Sequence, residues 1–378
     1  MGPAFGGGLV LEPVGRWSSN EVGAELRFSA AGGTIGTTYR ALKEDVEDGG
    51  SENQVGDYGR RQHFATFRLG FGAFPECGTY GGRVADQGEG GSVRQGFGAA
   101  RAYDRYEDFV QDREVDIVYI GTLHPMHKEG MLLCLRHGKA VLCEKPFTMN
   151  AQEAEEVIRT ARENNLFLME AMWTRFLPPV AQARQWIAEG RIGEVLALTA
   201  NFGFDVGWNP GSRLLDKRLG GGALLDAGIY PVSFASMVFG EQPQWIQSTA
   251  YIGRTEVDER FAALFRYRNG QTATLNGAVR LRLTNDAYIY GTEGHIHLPG
   301  FLFARSAFLH TSGSIDVEFK DNRKTRGYIF EAEEAMRCLR EGRTESDIMP
   351  LDETLAIMRT MDAMRKQWGL VYPESDRC

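Results

Sequence analysis

The stretch Val115-Asp116-Ile117-Val118-Tyr119-Ile120-Gly121 decides the fold class of this chain. It is a nearly continuous apolar run ending in glycine, which is typical of a strand buried on both faces of a parallel sheet. Two further apolar runs follow at residues 140–143 and 166–170, and helical patterns lie between them at residues 127–137 and 151–164. This alternation of strands and helices predicts an α/β fold with a Rossmann-like parallel sheet.

The pattern changes after Trp173, where strand signals follow one another without intervening helices. Asn269-Gly270 is typical of a type I′ hairpin turn between two strands. Strands are predicted at residues 192–204, 244–252, 260–267 and 271–279. Helices are predicted at residues 223–239, 329–341 and 351–369. Residues 173–378 are therefore expected to form an α+β domain with a largely antiparallel open sheet.

The first hundred residues differ from the rest in their glycine content. They hold 23 of the 46 glycines of the chain, and their longest aliphatic run is Leu9-Val10-Leu11. Because glycine costs backbone entropy in helices and strands, residues 1–97 are expected to be an atypical and irregular segment.

Composition excludes several classes of protein. The chain has 378 residues and a formal charge of −8, so no basic face for a nucleic acid is expected. No apolar run approaches the roughly 18 residues needed to span a bilayer, which argues against a membrane protein. The five cysteines form no CxxC pair, so we expect reduced thiols in a cytoplasmic protein and no metal site.

A first group of candidate site residues follows the strand that ends at Gly121. Ligands of doubly wound sheets bind beyond the carboxyl ends of strands, so Gly121 and Thr122 are expected to line a crevice. His124 and His127, three residues apart at a helix start, could contact a phosphate or a ribose there. A pair of exposed loop histidines explains the same pattern equally well.

A second group, Glu144-Lys145-Pro146, follows the next strand at the same edge of the sheet. A lysine in that place can contact a ribose or a substrate hydroxyl and can tune a neighbouring acid. The alternative is a solvated Glu144–Lys145 pair at the end of a strand.

A third group follows the triple glycine at residues 220–222. Asp226 and Tyr230 are four residues apart, so on a helix they share a face. A tyrosine near a lysine can move a hydroxyl proton during hydride transfer. The alternative is a core helix whose tyrosine only bonds to the backbone.

In combination, these motifs give residues 98–378 a clear family likeness. They resemble the glucose–fructose oxidoreductase/inositol dehydrogenase (Gfo/Idh/MocA) family of NAD(P)-dependent enzymes. Five stretches in this order carry the resemblance, at residues 115–127, 141–146, 170–176, 220–231 and 349–353. It implies that residues 98–172 are the C-terminal half of a dinucleotide-binding domain and that residues 173–378 form the substrate and dimerisation domain.

The resemblance also implies roles for individual residues. Lys145 is then the signature lysine, Tyr230 the acid–base residue and Asp226 its partner. Together with the loop residues above, the expected cofactor contacts are Gly121, Thr122, His124, His127, Glu144, Lys145, Trp173 and Arg175. The implied cofactor is NADP, with NAD possible, and the implied protein is a cytoplasmic homodimer that acts on a small sugar or diol.

The chain departs from the family pattern at its start. The family begins with a strand, a GxGxxG turn and a helix that hold the cofactor pyrophosphate, and residues 1–97 contain no such unit. We therefore expect weak binding of NADP(H). Two alternatives remain, another sugar or inositol dehydrogenase of the same family, and a non-catalytic variant without a competent cofactor site.

Overall fold

The computed structural model describes residues 11–12, 21–30, 33–42, 103, 105–113, 115–311, 314–323, 327–373 and 375–376. The chain divides into two compact units, Met1–Gly121 and Thr122–Cys378. The boundaries expected at residues 97/98 and 172/173 stay predictions.

The first unit contains three antiparallel strands where the sequence predicts irregular chain. They are β1 (Leu11–Glu12), β2 (Glu21–Ala30) and β3 (Gly33–Leu42), in the order β1-β2-β3. Residues 21–30 alternate apolar and polar or glycine positions, which is a strand signal that the glycine content concealed. Residues 43–102 lie outside the described part of the chain.

The first unit also contains the stretch that decides the fold class. Helix α1 (Tyr106–Val110) precedes strand β4 (Ile117–Ile120), in which Val118 and Ile120 are fully buried. Strand β4 lies within the predicted stretch, residues 115–121.

The second unit begins with alternating helices and strands, as predicted. Its elements are α2 (His127–Arg136), β5 (Ala140–Glu144), α3 (Ala151–Glu163) and β6 (Leu168–Ala171). Strands β5 and β6 pair in parallel, with Val141 opposite Leu168. Asn150 caps α3, because its side chain accepts the Glu153 N–H at 2.8 Å.

An eight-stranded sheet follows, and it is mixed rather than purely antiparallel. Its order is β14-β13-β12-β11-β7-β10-β9-β8, and only β7 and β10 run parallel among its pairs. Its strands are β7 (Val195–Gly203), β8 (Trp245–Ile252), β9 (Asp258–Arg266), β10 (Thr272–Ala278), β11 (Ala287–Gly291), β12 (Gly294–Leu298), β13 (Ser306–Thr311) and β14 (Ser314–Lys320). The largely antiparallel sheet is confirmed, and the strands from β11 onward were not predicted.

Helices pack on the inner face of this sheet, against side chains such as Leu198 and Ala200. They are α4 (Pro178–Ala188), α5 (Ile229–Phe239) and, after helix α6 (Tyr328–Arg340), α7 (Leu351–Trp368). Helix α6 itself packs on the short turn Trp173–Phe176. A π-helical turn at Leu224–Gly228 leads into α5. The stretch Lys217–Phe239 is long and apolar enough to cross a membrane, but 78% of its most apolar window is buried inside the protein, as in a core helix.

The outer face of the same sheet carries an aromatic ladder built from neighbouring strands. Tyr288 stacks on His297 with ring centroids 4.1 Å apart, and His295 stacks on His310 at 4.4 Å. Each pair joins neighbouring strands in register. The mixed α/β architecture thus leaves one sheet face partly exposed.

Candidate active site

Lys145 lies directly after β5, and its side chain is only 9% exposed. The ammonium group donates to the carbonyl oxygen of Asp226 at 2.9 Å and lies 3.5 Å from the Asp226 carboxylate. Glu144 Oε2 accepts the Lys145 N–H at 3.2 Å. The alternative of a solvated pair is therefore wrong for Lys145, whose charge points toward the helix that carries Asp226.

Asp226 is shared between two cations. Besides Lys145, the Arg213 guanidinium donates to Asp226 Oδ1 at 2.8 Å, and the carboxylate is 6% exposed. A buried carboxylate with two cationic partners fixes both side chains in place. Sequence reasoning missed Arg213, because it lies in a segment without a periodic pattern.

Tyr230 lies next to this cluster, with the Lys145 ammonium 4.7 Å from its ring centroid. Its hydroxyl accepts a hydrogen bond from the indole N–H of Trp173 at 3.1 Å. Burial raises the pKa of Tyr230 well above its ordinary value, and the nearby Tyr328 and Glu144 add to the rise. The hydroxyl therefore keeps its proton at neutral pH. Asp226 and Tyr230 both lie near the Lys145 ammonium, and their place on one helix face stays a prediction.

Aromatic rings pack around Trp173 and the Tyr230 ring. Trp173 contacts Tyr328 and Phe303 with ring centroids 4.7 and 5.1 Å apart, and Phe202 meets the Tyr230 ring edge-on at 5.6 Å. Phe303 and Tyr328 are 48% and 36% exposed, so they offer apolar surface beside the buried tyrosine. Nothing in the sequence pattern singled out these two residues or Phe202.

The two histidines are buried, so the alternative of exposed loop histidines is wrong. His124 Nδ1 lies 3.2 Å from the Gly220 carbonyl oxygen. His127 is fully buried, with Nδ1 2.9 Å from the Pro146 oxygen and Nε2 3.0 Å from the Thr122 oxygen. Burial lowers the pKa of both rings, which favours the neutral form. Both histidines thus tie the loops after β4 and β5 to neighbouring backbone, and their contact with a cofactor stays a prediction.

Arg175 is engaged with protein groups on several sides. Its guanidinium donates to Ser233 Oγ and the Ser233 carbonyl oxygen, to the Ile348 carbonyl oxygen and, at 2.6 Å, to Glu353. Four donor contacts leave little of the five-donor fork for a cofactor. The contact predicted for Arg175 stays a prediction with no geometric support.

At this edge of the second unit, one buried polar atom has no hydrogen-bond partner in the described part of the chain and is available to a dinucleotide. Thr122 Oγ1 is buried and has no hydrogen-bond partner among the described residues. A buried hydroxyl without a partner is costly, and a ligand oxygen can satisfy it. Within the described part of the chain, no group of three His, Cys, Asp or Glu side chains is arranged to hold a metal ion.

Comparison with known proteins agrees with this geometry. The family model for the NAD-binding Rossmann fold of the oxidoreductase family matches residues 84–172, and the GFO/IDH/MocA C-terminal domain model matches residues 180–297. These two models together cover more than half of the chain. The chain belongs to the Gfo/Idh/MocA oxidoreductase family. It is therefore an NAD(P)-dependent dehydrogenase by family, which confirms the resemblance.

Several similar proteins in the family carry the same name. The trans-1,2-dihydrobenzene-1,2-diol dehydrogenase of Xenopus tropicalis is 36% identical over 280 residues, covering 72% of this chain and 84% of that protein. The human enzyme of the same name is 37% identical over 284 residues, with 73% and 84% covered.

Solved structures show the same fold. The 3-ketoreductase KijD10 from Actinomadura kijaniata, in complex with NADP and TDP-benzene, superposes with a TM-score of 0.67 at 24% identity, covering 75% of this chain and 87% of that chain. Levoglucosan dehydrogenase in complex with NADH and levoglucosan gives a TM-score of 0.70 at 19% identity, with 86% and 96% covered.

Proposed function

We propose that the protein is an NADP-dependent dehydrogenase of the trans-1,2-dihydrobenzene-1,2-diol dehydrogenase/D-xylose 1-dehydrogenase type, with Tyr230 as the acid–base residue. The observation that carries the proposal is the Tyr230 side chain, whose ring lies 4.7 Å from the Lys145 ammonium that Asp226 holds and whose hydroxyl accepts the Trp173 N–H. Relatives named for this diol activity share 36–37% identity over most of the chain. The aromatic surface suits the flat apolar ring of a dihydrodiol.

The reaction breaks the C–H and O–H bonds of a carbinol and leaves a carbonyl. A bound nicotinamide supplies the acceptor for the hydride. In oxidation the Tyr230 phenolate accepts the proton of the substrate hydroxyl, and in reduction the phenol returns it, while the Trp173 N–H orients the phenol oxygen. The Lys145 ammonium, which Asp226 holds, lies 4.7 Å from the Tyr230 ring centroid, and its charge favours the anionic form of the tyrosine during proton transfer, against the effect of burial.

Six of the expected residues remain in the proposed cofactor site on the second unit. Thr122 offers its buried and unpartnered hydroxyl, and Lys145 follows β5 at the carboxyl end of the strand. Trp173 packs beside Tyr230, where it would limit the space for a nicotinamide ring. The proposed set on this unit is Thr122, His124, His127, Glu144, Lys145 and Trp173. Gly121 joins it on the family resemblance, and Arg175 is the residue with least support.

The substrate test compares dihydrodiols with sugars. Oxidation of trans-1,2-dihydrobenzene-1,2-diol, D-xylose and myo-inositol is followed by NADPH or NADH absorbance. We expect the diol with NADP to give the highest kcat/KM. A clear preference for inositol or another sugar would assign a different dehydrogenase of the family, and an absence of turnover with all substrates would favour a non-catalytic variant.

The residue test is Tyr230→Phe. Losing a positioned proton donor should lower kcat by roughly 10²–10⁴-fold and leave the affinity for NADP nearly unchanged. The control is Tyr267→Phe, since Tyr267 is a buried tyrosine that stacks on Phe239 at the far end of α5. Near-normal turnover of Tyr230→Phe would show that Tyr230 only packs.

We further propose a homodimer that uses the outer face of the eight-stranded sheet. Trp245, Tyr251 and Tyr290 are 40%, 49% and 38% exposed on that sheet, and a large apolar surface is commonly covered by a partner. Light scattering at micromolar protein should give about twice 42.1 kDa. A monomer at every concentration would contradict the proposal.

The proposed location is the cytoplasm. Cys134, Cys143 and Cys338, the cysteines in the described part of the chain, are free and buried, as suits a reducing compartment. Fractionation of cells that express a tagged chain tests this, and recovery in a membrane or secreted fraction would contradict it.

A further inference from the structure

We propose that Asp258 and Tyr372 are positioning residues that hold the glycine turn at the start of the helix carrying Asp226 and Tyr230. This inference rests on the proposed function. Both side chains come from elements far away in sequence, Asp258 from the first residue of β9 and Tyr372 from the segment after α7. They meet the turn Gly220-Gly221-Gly222 on the side of the protein core.

The Asp258 carboxylate accepts a hydrogen bond from a backbone N–H at the N-terminal end of the helix. Its side chain is fully buried, and Oδ2 accepts the Leu224 N–H at 2.6 Å. Such an acceptor stabilises the N-terminal end of a helix, where backbone N–H groups lack partners inside the helix. Oδ1 is buried without a hydrogen-bond partner among the described residues. Among the residues that the structure describes, Asp258 forms no ion pair, so its carboxyl group is placed for the turn.

Gly222 allows this approach of Asp258. Its φ is +129°, which L side chains rarely adopt, and a Cβ there would lie 2.2 Å from Asp258 Oδ1. A glycine-rich turn can also let a ligand come close to the backbone. The structure fills that space with a side chain of the same chain.

Tyr372 holds the adjacent residue. Its hydroxyl donates to the Gly221 carbonyl oxygen at 2.6 Å, and the side chain is 2% exposed. The segment that carries it is anchored in turn, since Asp376 accepts the Tyr372 N–H at 2.8 Å and a hydrogen bond from Arg365 at 3.0 Å. The Arg365 guanidinium also lies 5.2 Å from the Tyr372 ring centroid.

Hydrogen bonds connect the glycine turn, which Asp258 and Tyr372 contact, to the segments that carry Arg213 and Asp226. The N–H groups of Gly221 and Gly222 donate to the carbonyl oxygens of Asp216 and Leu214, in the segment that begins with Arg213. The Gly222 carbonyl oxygen accepts the Asp226 N–H in a long 3.4 Å bond. A displacement of the turn would therefore shift both Asp226 and Arg213. The position of the Asp226 carboxylate relative to the Lys145 ammonium would then change as well.

The experiment uses four variants of the full chain. Tyr372→Phe removes one hydroxyl, Asp258→Ala removes the acceptor, and Asp258→Asn restores an acceptor oxygen. Burial raises the pKa of Asp258 to about 7, so a neutral amide is a close mimic near neutral pH. Tyr267→Phe is the control for the loss of a buried tyrosine hydroxyl. The readouts are kcat, the KM for NADP, and hydrogen exchange of the amides at residues 222–230.

We expect Tyr372→Phe to lower kcat about tenfold and to speed amide exchange at residues 222–230 about tenfold, since one buried hydrogen bond is lost. The KM for NADP should stay within about twofold, and Asp258→Asn should keep most of the activity that Asp258→Ala loses. If Asp258→Ala fails to fold, Tyr372→Phe decides the question.

Equal kcat and equal amide exchange in Tyr372→Phe and Tyr267→Phe would overturn the inference. If the unchanged chain gives no turnover, the proposed function fails by itself. The exchange rates at residues 222–230 then still show whether Asp258 and Tyr372 hold the turn.

Discussion

Replacing Asp226 with Asn should destabilise the second unit far more than loss of an ordinary surface carboxylate. The Asp226 carboxylate is 6% exposed and forms ion pairs with two cations. These are Lys145, whose side chain is 9% exposed, and Arg213, whose side chain is 21% exposed. Removing one partner of a buried ion pair typically costs about 3–5 kcal/mol. Because Asn keeps an acceptor oxygen for one of the two donors, we expect the free energy of unfolding to fall by about 2–4 kcal/mol.

The assay is urea unfolding followed by tryptophan fluorescence, with kcat measured on the same samples. Asp347→Asn is the control, since Asp347 pairs with Arg343 but is 80% exposed and should change stability little. A second test adds Arg213→Met to Asp226→Asn, which removes one of the two uncompensated cations. The double variant should regain part of the lost stability, because residues in one network do not add.

One result would refute this reasoning. If Asp226→Asn unfolds at the same urea concentration as Asp347→Asn, the carboxylate does not compensate two buried cations. Solvent or other hydrogen-bond partners would then stabilise the charges of Lys145 and Arg213.

Three further predictions concern the tyrosine, the glycine turn and the cofactor. The raised pKa of Tyr230 means that its hydroxyl ionises only above its ordinary range, so kcat/KM for diol oxidation should still rise at pH 10; a plateau near pH 7 in the pH–rate profile would assign the base elsewhere. Gly222→Ala should lower the thermal midpoint well below that of Gly240→Ala, because both glycines have positive φ but only Gly222 meets a neighbour, Asp258 Oδ1, within 4 Å; equal midpoints would contradict the clash. A NADPH fluorescence titration of the full chain should give a Kd of about 0.1 mM or weaker, since two lost pyrophosphate hydrogen bonds cost at least about 3 kcal/mol. A graft of strand, GxGxxG turn, helix and strand ahead of Gly98 should lower this Kd. Low-micromolar binding by the unmodified chain would show that the glycine-rich segment supplies a phosphate site.

The sequence predicts the group of Lys145, Asp226 and Tyr230 well because each member follows a strong local signal. Lys145 comes directly after a buried strand, and Asp226 and Tyr230 are one helical turn apart. The structure brings the three together, with the Lys145 ammonium 3.5 Å from the Asp226 carboxylate. Helix α3 was predicted to within one residue, because Asn150 and Glu153 give it a capping signal.

The rest depends on contacts that no local pattern encodes. Arg213 reaches Asp226 from an irregular segment, and Phe303 reaches Trp173 from a short turn between strands. The parallel pairing of β7 with β10 joins Thr199 to Thr274, which periodicity within either strand cannot reveal. The exposure of His124 and His127 was also open, since burial of a loop depends on what packs over it.

The place of β7 in the middle of the large sheet has a consequence for how the chain folds. Its parallel neighbour β10 pairs Thr274 with Thr199, so 75 residues, 274 minus 199, separate the partners. At a synthesis rate of about 5–20 residues per second, β7 would leave the ribosome roughly 4–15 s before β10. During that time the side chains of Leu198 and Ala200, fully covered in the finished sheet, face water without a partner strand. High contact order slows such folding, so β7 is the segment that a chaperone would most usefully shield during synthesis.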